Sequence, residues 1–79
     1  MEFTLDKFNG IIIDPLTAPH DADSFHAELS EITEFSKQNN KGIIWISLPI
    51  SLSHLISVAT ELGFVFHNCL EDEITLIHK

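Results

Sequence analysis

The side chains that could bind a metal are concentrated near the end of the chain. His67 and Cys69 stand two positions apart in an apolar segment, where strand alternation predicts that they share a face, and His78 follows on the next segment. Zinc requires tetrahedral His and Cys ligands, and its protein sites usually contain a closely spaced pair such as CxxC or HxxxH. Neither spacing occurs here. We therefore expect no metal site, and we interpret the acidic Glu71–Glu73 as a solvated hairpin turn.

A catalytic set is also missing. A nucleophile needs an adjacent base and a group that orients the base, and neither Cys69 with His67 nor the serines near residue 51 form such a set. Phosphate-binding loops need glycines packed together at the start of a helix, whereas Gly10, Gly42 and Gly63 are far apart. The sequence thus predicts no enzymatic activity and no bound cofactor for this chain alone.

Composition limits the classes of partner. The chain has 79 residues, a net charge of −8 and no arginine among its four basic residues. Proteins that bind nucleic acid or anionic membranes use clustered Lys and Arg, so we expect neither partner. One cysteine and the lack of a signal sequence or long apolar run favour a cytoplasmic protein. With 44% hydrophobic residues, the chain can form one small core.

Hydrophobic periodicity predicts an α/β fold with the order β-α-β-α-β-β, in which a mixed sheet is flanked by two helices. The two helical segments start at His20–Asp23 and at Ser51, and they end at the Asn39–Gly42 stop and at Gly63. The predicted strands cover four segments: Phe8–Asp14, Ile43–Leu48, Phe64–Cys69 and Glu73–His78.

Several details of this arrangement are open to a structural test. Asn9-Gly10 either begins the first strand or closes a small hairpin with Phe3–Leu5. The unbroken apolar run Ile43–Leu48 predicts a central strand buried on both faces. Ser51 is the expected N-cap of the second helix. The first helix should bury one apolar face, which comprises Ala22, Phe25, Leu29, Ile32 and Phe35.

Three short sequence motifs occur in a characteristic order. They are Phe8-Asn9-Gly10-Ile11, then Gly42–Ile46 followed by Leu48-Pro49-Ile50, and finally Gly63–His67. This order and spacing resemble the N-terminal, or pre-Nudix, domain that precedes the catalytic domain in some Nudix hydrolases. The resemblance covers about residues 8–78. It singles out positions that are mainly structural: Phe8, Asn9, Gly10, Trp45, Pro49, Gly63, Phe64 and His67.

The resemblance implies a non-catalytic role. Residues 1–79 would form a single accessory domain, similar to a fragment of the acetyltransferase fold, without a catalytic Nudix domain. In such proteins, Mg²⁺ and the hydrolysis of nucleoside diphosphates linked to another group belong to the following domain, whose Arg-Glu-x-x-Glu-Glu helix this chain lacks. The expected partner is that catalytic domain in cis, or a second copy in a homodimer.

Two other functions remain open from the residues. The fold could hold a small ligand such as a nucleotide or coenzyme A, although no phosphate loop is present. The net charge of −8 would also suit a stand-alone acidic inhibitor of a basic protein. Phe64 and Phe66 stand at alternate strand positions, so we expect them to share one core-facing side. Exposure of such aromatic groups at helix one or at the sheet edge would instead favour a protein partner.

Overall fold

The structure is a computed structural model that describes all residues, 1–79, as five strands and two α-helices. Two 3₁₀ helices, Pro15–Thr17 and Ile50–Leu55, connect them. The helices are α1 (Ala22–Gln38) and α2 (Ile56–Glu61). The strands are β1 (Phe3–Leu5), β2 (Gly10–Ile13), β3 (Ile43–Pro49), β4 (Val65–Cys69) and β5 (Glu73–His78).

The N-terminal segment forms the hairpin that the sequence allowed. Asn9 adopts a left-handed conformation (φ 67°), and the Asp6 carboxylate accepts hydrogen bonds from the backbone N–H groups of Phe8 and Gly10. A Cβ at Gly10 would lie 2.7 Å from the Asp6 carboxylate, so a larger residue there would displace the carboxylate that accepts these two hydrogen bonds. The turn pairs β1 with β2 and adds a fifth strand to the predicted order.

The sheet has the order β1-β2-β3-β5-β4. Only β2 and β3 are parallel, because α1 forms the crossover between them. The remaining neighbours are antiparallel, and β4 and β5 form the predicted C-terminal hairpin. The strands β1 and β4 are therefore the two edges of a mixed α/β sheet.

Helix α1 begins where the aspartates predicted it would. The Asp21 side chain accepts a hydrogen bond from the Ser24 N–H (2.9 Å), which caps the helix and lowers the Asp21 pKa. Phe25, Leu29 and Ile32 are buried, but Ala22 is exposed because it lies in the first turn, before the helix reaches the sheet. The Phe35 ring packs on Phe3, with centroids 5.3 Å apart, which places α1 over the β1 side of the sheet.

The second helical segment begins differently from the prediction. A 3₁₀ helix covers Ile50–Leu55, the cap position is Pro49, and no side chain forms a capping hydrogen bond. The prediction of Ser51 as N-cap is therefore wrong, because the Ile50 N–H donates to the Asp72 carbonyl and starts the turn at the end of β3. The segment ends at Gly63 (φ +97°), as its glycine predicted.

The core cluster lies on the helix side of the sheet, although Ile77 on the other side is also buried (7% exposed). Along β3, Ile44, Ile46 and Leu48 are buried under the helices, whereas the alternate residues are only half-buried. The prediction that this strand is buried on both faces is wrong, because both helices pack on the same side and leave the other side uncovered. No helix has the length and apolarity needed to cross a membrane.

Candidate interaction surface

The uncovered side of the sheet carries a row of mostly apolar side chains that crosses all five strands. Strand pairing aligns Thr4, Ile12, Trp45, Ile77 and Val65 in this row. Cross-strand partners share a face, so the row lies opposite the core. Ile12 is 45% exposed and Val65 is 55% exposed. We call this side of the sheet the open face.

Trp45 and His67 are in ring contact on the open face. Their rings meet edge to face, with centroids 4.9 Å apart and an interplanar angle of 90°. Trp45 is the chain's only tryptophan and is half-buried. A large, rigid aromatic ring held in one orientation contributes contact area at little cost in conformational entropy, which suits a binding surface.

The next row of the open face is polar but uncharged. Ser47 pairs with Thr75, which pairs with Asn68. The Ser47 and Thr75 hydroxyls form a 2.8 Å hydrogen bond across the strands. The paired residues of these two rows are uncharged, although 20% of the chain is charged, and the nearest carboxylates, Glu2 and Asp14, lie beside Thr4 at the β1 edge. Contiguous apolar surface with satisfied polar groups and depleted charge is typical of the centre of a protein interface.

A bulge in β4 changes which side chains share a face. Phe66 pairs with Leu76 and Asn68 with Thr75, so His67 is the extra residue. His67 contacts Trp45 on the open face, whereas Cys69 pairs with Ile74 and points to the helix side. The prediction that His67 and Cys69 share a face is wrong for this reason. No three His, Cys, Asp or Glu side chains gather where they could hold a metal ion.

Phe8, Asn9 and Gly10, from the first of the three sequence motifs, lie in the β1–β2 turn. The Asn9 side chain donates to the Asn40 carbonyl (2.7 Å), and the Asn9 carbonyl accepts from the Gly42 N–H (2.8 Å), so this turn fastens the end of α1 to the start of β3. The Phe8 ring is 79% exposed, with the Lys7 ammonium 5.2 Å from its centroid.

The remaining motif residues occupy three other places. Pro49 ends β3 opposite Glu73. Phe64 is 2% exposed and packs edge to face on His78, with centroids 5.2 Å apart, directly after Gly63. Of the eight predicted positions, the structure brings only Trp45 and His67 into ring contact across strands.

Three residues of the open face were missed from the sequence. Ile12 lies in Ile11–Ile13, which is apolar at every position, so alternation gave no sign of which side would stay uncovered. Val65 and Ile77 lie in strands that mix apolar residues with polar ones such as His67 and Thr75. The 45% and 55% exposure of Ile12 and Val65 follows from both helices packing on the other side. A tertiary arrangement of this kind is not encoded in a single strand.

The structure has one open cleft, of about 410 Å³, at the β1 edge. Its lining includes the carboxylates of Glu2 and Asp14 and no basic side chain. Two carboxylates repel phosphate groups. The cleft therefore does not suit a nucleotide or coenzyme A.

Comparison with known proteins places this fold in a family. The model of the Nudix hydrolase domain family (Nudix_hydro), an N-terminal Nudix domain, matches residues 1–79. The chain is 27% identical to Nudix hydrolase 7 of Arabidopsis thaliana over 78 residues, covering 98% of the chain and 27% of that protein.

Two further relatives agree. Nudix hydrolase 10 of Arabidopsis thaliana is 28% identical over 78 residues, covering 99% of the chain and 28% of that protein. The human nucleoside diphosphate-linked moiety X motif 6 is 32% identical over 77 residues, covering 91% of the chain and 24% of that protein. The chain thus spans between one fifth and three tenths of the length of the curated relatives it matches. It belongs to the Nudix_hydro family, the N-terminal domain of Nudix hydrolases.

Proposed function

We propose that this chain is a non-catalytic accessory domain of a Nudix-type hydrolase, and that its open face packs against the catalytic domain. The observation that carries the proposal is the uncharged, mostly apolar row opposite the helices, in which Ile12 and Val65 are 45% and 55% exposed, in a chain of net charge −8. Any hydrolysis of a nucleoside diphosphate linked to another group, and any Mg²⁺, would belong to the catalytic domain.

The shape of the open face favours a folded protein over a small ligand. Small-molecule sites are concave and enclose most of the ligand, whereas the central row is a sheet surface one side chain high across five strands. Sheet surfaces of this kind are normally covered by a helix layer or a second domain. The half-exposed Ile12 and Val65 would lose the remaining exposed area in such a contact.

The relatives indicate what could cover this face. Each is a protein named as a Nudix hydrolase or Nudix-type motif protein in which the matched segment makes up at most 28% of the length. The rest of each polypeptide is long enough to contain a separate catalytic domain of ordinary size. An intramolecular neighbour is present at high effective concentration, so a modest apolar contact suffices to hold it.

An activity assay tests the non-catalytic part of the proposal. We expect the purified chain with Mg²⁺ to release no product from ADP-ribose or NADH above the buffer rate, because no carboxylate cluster gathers in the structure. An enzyme of measured activity on the same two substrates serves as the positive control. Turnover that depends on a divalent ion and survives repeated purification of the chain would overturn this part.

A chimera tests the docking part. This chain replaces the aligned 78 residues of Nudix hydrolase 7, and Ile12→Asp is compared with Leu16→Asp. Both residues are exposed and apolar (45% and 88%), but only Ile12 lies on the open face. We expect the parent chimera and Leu16→Asp to unfold in one transition, and Ile12→Asp to separate the transitions of the two domains.

Trp45 gives a second readout for the same chimera. Labelled with 5-fluorotryptophan, its ¹⁹F resonance should shift between the isolated chain and the chimera, because the ring lies at the centre of the open face. Equal behaviour of Ile12→Asp and Leu16→Asp, together with an unshifted Trp45 resonance, would overturn docking through this face.

A further inference from the structure

The two edges of the sheet are protected to different degrees. Strand β1 has three residues and is flanked by Glu2 and Asp6, and short length and charge are the devices that block pairing with another chain. Strand β4 has five residues, none of them charged, and every residue in it is exposed. Only the bulge at His67 interrupts the β4 edge.

The segment Val65–Leu70 has a side-chain pattern that reads the same in both directions. Val65, His67 and Asn68 lie on the open face, whereas Phe66 and Cys69 lie on the helix side. Leu70 returns to the open-face side, because its N–H bonds to the Glu73 carbonyl as the hairpin turns. The bulge is what makes this pattern symmetric, since it puts two successive residues on the same face.

Chemical character follows the same symmetry. Apolar Val65 corresponds to Leu70, Phe66 to Cys69, and polar His67 to Asn68. A twofold axis through the point between His67 and Asn68 would place each residue beside its counterpart on the same face. Isologous interfaces require such self-complementarity, and an arbitrary partner would not impose it on this strand.

The exposed apolar area is concentrated in this segment. Val65, Phe66 and Leu70 are 55%, 63% and 53% exposed, three of the eight large exposed hydrophobic residues in the chain. Pairing two such edges would cover these side chains on both faces of the extended sheet, which is favourable because apolar surface leaves water.

The acidic residues of α1 lie away from β4, so the acidic turn Glu71–Glu73 is the negative segment that borders the proposed pair. Four of the twelve acidic residues lie in α1 and a fifth, Asp21, caps it. The contact between Phe3 and Phe35 and the ion pair between the Met1 amino group and Glu28 place α1 above β1, at the opposite edge from β4. In a pair joined at β4, these helices would be much further apart than the screening length of about 8 Å in physiological salt.

From these observations we propose that β4 pairs antiparallel with β4 of a second copy, with the twofold axis between His67 and Asn68. The result is a continuous ten-stranded sheet whose open faces lie side by side. This interface deepens the proposed accessory role and rests on it, but it uses the sheet edge and leaves the centre of the open face free for a catalytic domain.

The first experiment measures the mass of the 79-residue chain by sedimentation from 5 µM to 1 mM. The expected mass rises from 8.9 kDa toward twice that value. Phe66→Asp should weaken dimerisation at least about tenfold, because each copy would bury an unpaired carboxylate. Leu16→Asp, at an exposed site far from β4, should leave it unchanged. A monomer at every concentration would overturn the proposal.

Cross-linking then tests the register. In the proposed pair, residue 66 of one copy lies beside Cys69 of the other on the helix side. Phe66→Cys should therefore give a disulfide-linked dimer with native Cys69 under mild oxidation. Within one copy the two positions are roughly 10 Å apart along the strand, too far for a disulfide.

Val65→Cys is the matched control, because residue 65 points to the open face and cannot reach Cys69 of the other copy. Little cross-linking is expected for it or for the parent chain, whose two Cys69 side chains would be three residues out of register. Cross-linking of Val65→Cys equal to that of Phe66→Cys would overturn the register and, with it, this interface. The chimera and activity assays for the proposed function would be unaffected by that result.

Discussion

Phe64 and Phe66 stand two positions apart and point to the same side of the sheet, yet their surroundings differ sharply. Phe64 is 2% exposed and packs on His78, whereas Phe66 is 63% exposed at the β4 edge. Replacing each with alanine in turn therefore tests where the helix layer ends. The sequence alone predicted one shared, core-facing environment for the pair.

The two substitutions should have very different effects on the free energy of unfolding. Phe64→Ala loses a fully buried ring and leaves a cavity, which typically costs about 3–5 kcal/mol. Phe66 buries only about a third of its surface, and complete burial of such a side chain contributes about 1.5–3 kcal/mol, so Phe66→Ala should cost about 0.5–1 kcal/mol. A domain of this length has roughly 4–12 kcal/mol in total.

Urea unfolding measures this difference. With a slope near 1 kcal/mol per molar urea for a domain of this size, Phe64→Ala should lower the midpoint by roughly 3 M or unfold the chain without denaturant, and Phe66→Ala should lower it by less than about 1 M. Circular dichroism and Trp45 fluorescence should report coincident transitions. The measurement belongs at low micromolar concentration, where pairing at β4 does not contribute.

A loss of stability in Phe66→Ala as large as that in Phe64→Ala would refute this account of the β4 edge. It would mean that Phe66 is covered in the isolated chain. The free surface on which the edge-pairing proposal rests would then be absent.

Three further predictions concern local structure. In thermal unfolding, Gly63→Ala should lower the free energy of unfolding by about 1–3 kcal/mol, because Gly63 has φ +97°. Gly42→Ala should have little effect in the same measurement, because the added Cβ would lie 3.7 Å from its nearest neighbour, the Asn9 carbonyl oxygen. Asp21→Ala should lower the melting temperature more at pH 7 than at pH 2. The folded pKa of Asp21 lies below the ordinary 3.8, so the stabilisation is present above 3.8 and is lost as pH falls through the folded pKa. An equal loss at both pH values would contradict this. Ser47→Ala and Thr75→Val should each lower the free energy of unfolding by about 1 kcal/mol, because each leaves the other half-buried hydroxyl without its hydrogen-bond partner. In a double-mutant cycle, the double variant should lose less than the sum of the two.

Local signals in the sequence were sufficient for most of the fold. The aspartates at the start of α1 and its apolar spacing predicted the helix, and the structure confirms Asp21 as the cap and Phe25, Leu29 and Ile32 as buried, but not Ala22. The structure also confirms that the second helical segment ends at Gly63, which has a left-handed conformation. These features depend on contacts within one or two turns, which is why residue types and spacing are enough to predict them.

The errors arose where distant parts of the chain decide the outcome. Ser51 looks like a cap, but the Asp72 carbonyl, 22 positions away from Ile50, accepts the hydrogen bond that starts the turn. The apolar run of β3 looks fully buried, but its environment depends on which side α1 and α2 choose. His67 and Cys69 look like neighbours on one face until the bulge separates them.

The open face could not be predicted from the sequence because its side chains are mostly apolar, like those of the buried face. A strand with one wet face normally alternates apolar and polar residues, and such alternation would have revealed the uncovered side. Ile12, Trp45 and Ile77 are apolar on that side as well, so the pattern resembles a strand between two layers. The domain supplies only one of those layers. An apolar residue costs solubility on a face that always meets water, and a free-standing sheet would replace it with threonine, serine or a charge. The apolar row is the physical basis for the proposal that a second layer, contributed by another domain, covers the open face.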